Sequence, residues 1–285
     1  MARGTSGTVK AKMSQGAVLF AFNNDRVDYV SQAQWSAPRI NRHLGLPVTL
    51  ITDEMPDDIG MFDRVIIRES RSGGTRKYDH MNADSSANWY NRGRCSAYDV
   101  TPYDQTLLLD TDYIVSSNNL RSLFDTDQDL LCHRYVLDVT DRRNFARDTR
   151  FGAVEFPMWW ATVVYFRRGQ VAESVFAMMQ MIETHWYHYS RLYKFDQDLY
   201  RNDYAISIAL NTVYGHVPDS VPSIPWPLFT AFYDVYLNQL DQDRFQLNYV
   251  RMIENQQRHQ RMILEDCDLH VMNKPDLGKI CGSRI

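Results

Sequence analysis

Leu107-Leu108-Leu109-Asp110-Thr111-Asp112-Tyr113-Ile114 is the stretch that orders the rest of this chain. A continuous apolar run closed by polar residues is the pattern of a strand buried on both faces, and such strands build the parallel sheets of α/β proteins. On an extended backbone alternate side chains share a face, so Asp110 and Asp112 would point the same way and could offer oxygen to one divalent cation. A surface turn after a strand can carry the same Asp-Thr-Asp. The three leucines directly before it favour the buried strand.

The upstream segments repeat the theme. Residues 17–22, AVLFAF, form another short apolar run that delivers Asn23 and Asn24 at its end. Over 26–44, Val27, Val30, Ala33, Ala37, Ile40 and Leu44 fall at helical spacing, interrupted by Pro38 and stopped by Gly45. Residues 48–51 and 64–68 read as two more strands, the first ending at Thr52-Asp53-Glu54. Alternating strands and helices predict an α/β fold with a mostly parallel sheet flanked by helices. Ligands of such sheets sit beyond the carboxyl ends of the strands, where Asn23, Asn24, Asp53, Asp110 and Asp112 would gather.

Downstream, residues 120–124 read as a short helix, 130–132 and 158–166 (MWWATVVYF) as strands, and 171–193 as one amphipathic helix. Another helix over 203–210 starts at Asn202 or Asp203, either of which could cap its free amides. Residues 218–227, with four prolines, are a connection.

Residues 70–94 are polar and rich in Arg and Lys, and read equally as a lid over an anionic ligand or as a solvated excursion held by Trp89 and Tyr90. Arg92 and Arg94, nearest the next core segment, are the two of interest. Arg134, Arg142, Arg143, Arg147 and Arg150 lie beside Trp159 and Trp160, which would suit a sugar or a nucleic-acid backbone. Asp138, Asp141 and Asp148 offset three of those charges, which favours a salt-bridged surface.

At 285 residues with 44% hydrophobic content the chain can bury a large core, and we expect one elaborated domain over 16–285 behind a disordered extension, 1–15. The net charge of -4 gives no global attraction to nucleic acid or anionic membrane. No apolar run reaches the ~18 residues of a membrane span, and Cys95, Cys132, Cys267 and Cys281 form no CxxC pair. These features fit a soluble cytoplasmic protein with reduced thiols.

A second anchor lies far downstream. In Asp268-Leu269-His270-Val271-Met272-Asn273-Lys274-Pro275, His270 could complete a metal site with the two aspartates, and Lys274 could reach a diphosphate as a point charge. A structural histidine beside an exposed lysine would give the same letters.

With both anchors in place, the order TLLLDTDYI then HVMNKP resembles the glycosyltransferases of GT-A fold, particularly the glycogenin-like ones (family 8-like), and is similar to glycosyltransferase-like proteins of tailed phages. The resemblance implies a Rossmann-like sheet, with 16–115 as the nucleotide-binding half and 116–285 as the acceptor half. It implies that Asp110 and Asp112 bind Mn²⁺ (or Mg²⁺), that Asp110 also meets the donor, and that His270 is the third metal ligand. Lys274 would close on the pyrophosphate, Ala21, Phe22, Asn23 and Asn24 would edge the uracil, and Asp53 would hold base or ribose. Asp203 occupies a position similar to that of a polar residue facing sugar and acceptor. The family segment reads HxxGxxKP, whereas here Asn273 replaces a glycine and the spacing is shorter.

The expectation is therefore a metal-dependent enzyme moving a sugar from a nucleotide-sugar donor, a UDP-sugar, to a hydroxyl acceptor with retention. Hydroxymethylated phage DNA is a minority acceptor, and no membrane partner is expected. The alternatives are a nucleotidyltransferase, for which the first strand end lacks a glycine-rich loop, and a non-catalytic nucleotide-sugar-binding module.

Overall fold

The computed structural model describes residues 13–72, 74–77, 86–143, 150–151, 153, 155–195 and 199–282. Residues 1–12 of the expected N-terminal extension, the middle of the 70–94 loop and Arg147 fall outside them.

The chain opens with β1 (Gln15–Phe20), α1 (Tyr29–Leu44), β2 (Val48–Thr52), β3 (Arg64–Ile67), and a hairpin of β4 (Thr75–Lys77) and β5 (Ser86–Asn88). A 3-10 turn over Arg92–Ser96 leads into α2 (Ala97–Val100), β6 (Gln105–Leu109) and β7 (Tyr113–Ile114). Then come β8 (Leu130–His133), β9 (Val136–Asp138), β10 (Arg150–Phe151), β11 (Phe156–Pro157) and β12 (Trp160–Arg167). Helices α3 (Gln170–Thr184), α4 (Trp186–Leu192) and α5 (Asn202–Val213) follow. The chain finishes with β13 (Leu228–Ala231), β14 (Tyr236–Asp241), β15 (Arg244–Ile253), β16 (Gln256–Glu265), β17 (Leu269–Val271) and α6 (Lys274–Ile280).

The central sheet has the order β3-β2-β1-β6-β12-β8. Its first four strands run parallel, and β12 is antiparallel to both β6 and β8. Burial on both faces explains the apolar runs: Val18 and Leu108 pack on the side of α3 and α5, while Leu19, Leu107 and Leu109 pack on the side of α1. Gly16 is required where β1 passes the Tyr103 ring, since a Cβ there would come within 2.2 Å of it.

Two of the expected elements differ. Pro38 does not interrupt α1, which runs through it, capped by the Asp28 carboxylate on Ser31 N at 2.9 Å and closed by Gly45 in the left-handed region at φ 61°. The expected helix over 171–193 is two helices that break at His185.

A second sheet, β7-β17-β13-β9, sits at the carboxyl end of the first, and a third, β14-β15-β16, packs Leu237, Phe245, Leu247 and Tyr249 against it. Neither was expected, and the second is what carries His270. Among the described residues no helix is long and apolar enough to cross a membrane, and all four cysteines are free thiols.

Candidate active site

The Asp-Thr-Asp is not part of the strand. β6 ends at Leu109, and Asp110 to Tyr113 form a turn closed by Tyr113 N donating to Asp110 O at 3.2 Å. The turn is fixed from below: Asp110 N donates to Thr162 O on β12 at 2.9 Å, and Thr111 Oγ1 donates to Gln32 on α1 at 3.1 Å. The two carboxylates therefore converge because the turn folds them together, and strand alternation has no part in it.

His270 reaches them through backbone pairing. β17 runs antiparallel to β7 with His270 opposite Tyr113, and Val271 N donates to Asp112 O at 2.9 Å. Asp268, buried just upstream, accepts from Ser116 N and Ser117 N at 2.8 Å each and ties the two segments together a second time. The outcome is a cluster of Asp110, Asp112 and His270 whose ligand atoms lie within 4.8 Å of one another. Nε2 of His270 is 3.7 Å from Asp112 Oδ2, and its Nδ1 lies 3.4 Å from Thr230 Oγ1, a contact that orients the ring.

Each aspartate also holds a cation. Lys274 is ion-paired with Asp112, and Arg94 with Asp110. Burial alone would raise the Asp112 carboxyl, but Lys274 and His270 beside it outweigh that and hold it well below the usual carboxylate range. Burial pulls the Arg94 guanidinium down to about 10 against the attraction of Asp203 and Asp112, which leaves it charged at neutral pH. The departure at Asn273 has a local reason: its side chain accepts from Asp276 N at 3.3 Å to cap α6, and donates to Val235 O at 2.9 Å. This cap starts α6 at Lys274, which faces Asp112 across the cluster.

A cavity of about 440 Å³ opens over the cluster. Of the expected site residues, Phe22, Arg94, Asp110, Asp112, Asp203, His270 and Lys274 line it. Ala21, Asn23, Asn24, Asp53 and Arg92 do not. Ala21 is core, and Asn23 and Asn24 turn onto their own loop, accepting from Val30 N at 2.9 Å and Val27 N at 2.8 Å. The Arg92 guanidinium is taken up by Glu183 on α3, with Nε 2.6 Å from its carboxylate. Asp53 is exposed after β2. Asp203 is not the helix cap: Arg201 precedes α5, and Asp203 in the first turn accepts from Ala161 N at 2.9 Å and pairs with Arg201 at 2.8 Å. Burial would raise its carboxyl, but Arg201, the Ala161 amide and Arg76 together lower it.

Trp89, Asn91, Arg201 and Asn202, which the sequence reading did not place in the site, also line the cavity, as does Trp160, which it offered to a sugar. Buried there without a hydrogen-bond partner are the acceptors Asn91 Oδ1 and Asn202 Oδ1 and the donors Trp160 Nε1, Arg94 Nε and Arg201 Nε. Buried polar atoms are nearly always satisfied, so these open ones are available to a polar ligand or to water. The described arginines of the sequence cluster are half-buried or, at Arg150, exposed, and each has a partner within the chain. Arg142 and Arg143 pair with Asp234 at 2.8 and 2.9 Å, Arg134 donates to Pro218 O, and Arg150 donates to Glu155 O.

The residues fit a divalent cation. Two carboxylates and an imidazole within bonding reach of one point form a donor set that Mn²⁺ or Mg²⁺ accepts, and it lies at the floor of an open cavity.

No family model matches the chain, and neither does any curated protein. Among solved structures it is similar to the glycosyltransferase GlyE of Streptococcus pneumoniae TIGR4, at 16% identity and a TM-score of 0.41 over 74% of this chain and 45% of that one. It is also similar to the galactosyltransferase LgtC, at 13% identity and 0.42 over 68% of this chain and 69% of that one. A third likeness is to a protein assigned as a glucose-1-phosphate thymidylyltransferase of Bacillus anthracis, at 9% identity and 0.35 over 72% and 96%. The chain thus spans less than half the length of GlyE, and likenesses at this level set neither reaction nor substrate.

Proposed function

We propose that the chain is a metal-dependent glycosyltransferase that moves a sugar from a UDP-sugar to a hydroxyl acceptor. The observation that carries this reading is one cavity lined by two unlike sets of residues. The Asp110, Asp112 and His270 cluster, with Lys274, is one set, and indole rings with open buried donors and acceptors are the other. Sugars want both features of the second set: a flat apolar face to lie on, and partners for hydroxyls that donate and accept at once. The first set suits a diphosphate.

In this reading Asp110, Asp112 and His270 hold Mn²⁺ or Mg²⁺, which when bound supplies Lewis-acid stabilisation of charge on the departing diphosphate. Lys274 leaves Asp112 for a phosphate oxygen, at a site where its point charge is screened little. Arg94 links Asp110 to the neighbourhood of Asp203. Trp160, Asn91 and Asn202 orient the sugar, and Asp203, kept ionised by Arg201, accepts a hydroxyl proton in a hydrogen bond. Among the described residues Asp203 is the one carboxylate lining the cavity outside the metal cluster, and its lowered basicity makes it a poor general base. That supports retention, with the departing diphosphate taking the acceptor proton. A base at the β1 edge would meet the rings of Phe22 and Tyr29, since the asparagine side chains are engaged elsewhere. Arg142 and Arg143, paired with Asp234, give no support to a DNA acceptor, and the acceptor class stays open to any hydroxyl compound.

Incubation with Mn²⁺ and a panel of nucleotide sugars, followed by measurement of free nucleotide diphosphate, tests the reading. Slow metal-dependent release of UDP, lost in Asp112→Asn and His270→Ala, is the expected result. Release of pyrophosphate from a nucleoside triphosphate and a sugar phosphate would replace it with a nucleotidyltransferase. Binding of UDP-sugars without turnover would leave only a binding module.

A further inference from the structure

The third sheet ends in an open edge. Its strands lie in the order β14-β15-β16, and among the described residues no strand pairs with the outer side of β16. β15 and β16, ten residues each, are joined by Glu254 and Asn255, both in the left-handed region at φ 49° and 61°. A two-residue turn of that kind makes the residues flanking it, Ile253 and Gln256, the first hydrogen-bonded pair of the ladder. Alternation then commits the even-numbered backbone groups of β16 to β15. The N–H and C=O groups of Gln257, His259, Arg261, Ile263 and Glu265 point outward from the edge. Side chains of the same odd-numbered residues lie on the wet face, because Met262 and Leu264 pack inward.

A long exposed edge is a template for pairing with another chain. This one is complementary to itself when two copies run antiparallel about a two-fold axis at Ile263. Ile263, 48% exposed, then meets the partner's Ile263, and Arg261 and Glu265, both exposed, meet the partner's Glu265 and the partner's Arg261. Each of these pairs joins residues whose backbone groups face outward, so the ladder bonds form in the same register. Within the chain neither charge is used: Arg261 stands opposite Asn248, and Glu265 stands opposite Arg244 without an ion pair among the described residues. An axis at Met262 would set Arg261 against Ile263, and an axis at Arg261 would set guanidinium against guanidinium. We infer that the outer edge of β16 pairs with the same strand of a second copy of this chain, closing an isologous dimer centred on Ile263. The inference is independent of the reaction performed in the cavity.

Sedimentation velocity of the full chain over a concentration series tests it, with Arg261→Glu and Glu265→Arg run alone and mixed. Wild type should dimerise. Each single variant meets like charge twice across the axis, so its dimer should weaken at least about tenfold. An equal mixture of the two variants restores both opposite-charge pairs in the heterodimer and should dimerise as wild type does. Circular dichroism identifies any variant that fails to fold. In that case the double exchange Arg261→Glu with Glu265→Arg, which should dimerise by itself, and Ile263→Asp, which should not, decide. A wild type that stays monomeric throughout the series would overturn the inference, whether the edge stays open or takes a partner of another sequence. So would a dimer that the folded single variants leave unweakened, or a mixture that fails to restore it.

Discussion

Removing the Asp268 side chain tests how the distant His270 segment is held against the Asp-Thr-Asp turn. Asp268 is 7% exposed, and its Oδ1 accepts from Ser116 N and Ser117 N at 2.8 Å each. Asp268→Ala leaves both amides without that acceptor. A buried unsatisfied donor costs roughly 1–3 kcal/mol, and because Ser117 is only half-buried the pair should cost about 2–4 kcal/mol. In a chain of this length that is a fall of about 4–8 °C in Tm. Asp268→Asn keeps the oxygen and drops the charge. Burial pushes this carboxyl up despite the two amides, so its contribution to stability is fully present below the unfolded carboxylate range and declines as pH rises through the folded value. At neutral pH the asparagine variant should match or exceed wild type. Mn²⁺ affinity should follow the same order, because His270 is two residues away on the same strand entry. Calorimetric unfolding at pH 7 decides it. An alanine variant as stable as wild type, or an asparagine variant as damaged as alanine, would refute the reasoning.

Two further outcomes follow from buried charge. His133, on β8 with Nδ1 3.0 Å from Trp226 O, is pushed down by burial to about 4 from 6.5. The unfolded chain takes up that proton first as pH falls, so the stability it contributes is intact above pH 6.5 and is lost between 6.5 and 4, up to about 3 kcal/mol. Denaturant midpoints at pH 7.5 and 5 should differ accordingly, and His133→Gln should shrink the difference. Lys274→Met removes the cation that a metal meets at Asp112, so Mn²⁺ should bind the nucleotide-free protein about tenfold tighter while UDP binds more weakly. Titration showing unchanged or weaker Mn²⁺ binding would contradict that role for Lys274.

The central sheet was legible because burial on both faces leaves an unambiguous mark: Val18, Leu50 and Leu107 sit in runs with no polar alternation. The strands over 236–265 were not, since each has one wet face and β16 reads QQRHQRMILE; only the alternation of Phe245, Leu247 and Tyr249 betrays them. Asp110, Asp112, His270 and Lys274 could be singled out because metal ligands and phosphate cations are few in kind and come in short motifs. Trp160 stood out only as an aromatic beside the Arg cluster, Asn202 as a helix cap, and Asn91 and Arg201 as ordinary polar residues, because their shared feature is an open hydrogen-bonding atom facing one cavity. That is a property of the folded chain. Likewise the side chains of Asn23 and Asn24 were expected at the ligand edge, and competition from their own loop's amides draws them away.

The most direct test of the central claim is Mn²⁺ binding in the presence of UDP, followed by electron paramagnetic resonance on wild type, Asp112→Asn and His270→Gln. The account predicts a single Mn²⁺ site in wild type, weakened at least about tenfold in each variant, with UDP retained on the metal in wild type alone. Variants that bind Mn²⁺ and UDP as tightly as wild type would place the metal elsewhere and contradict it.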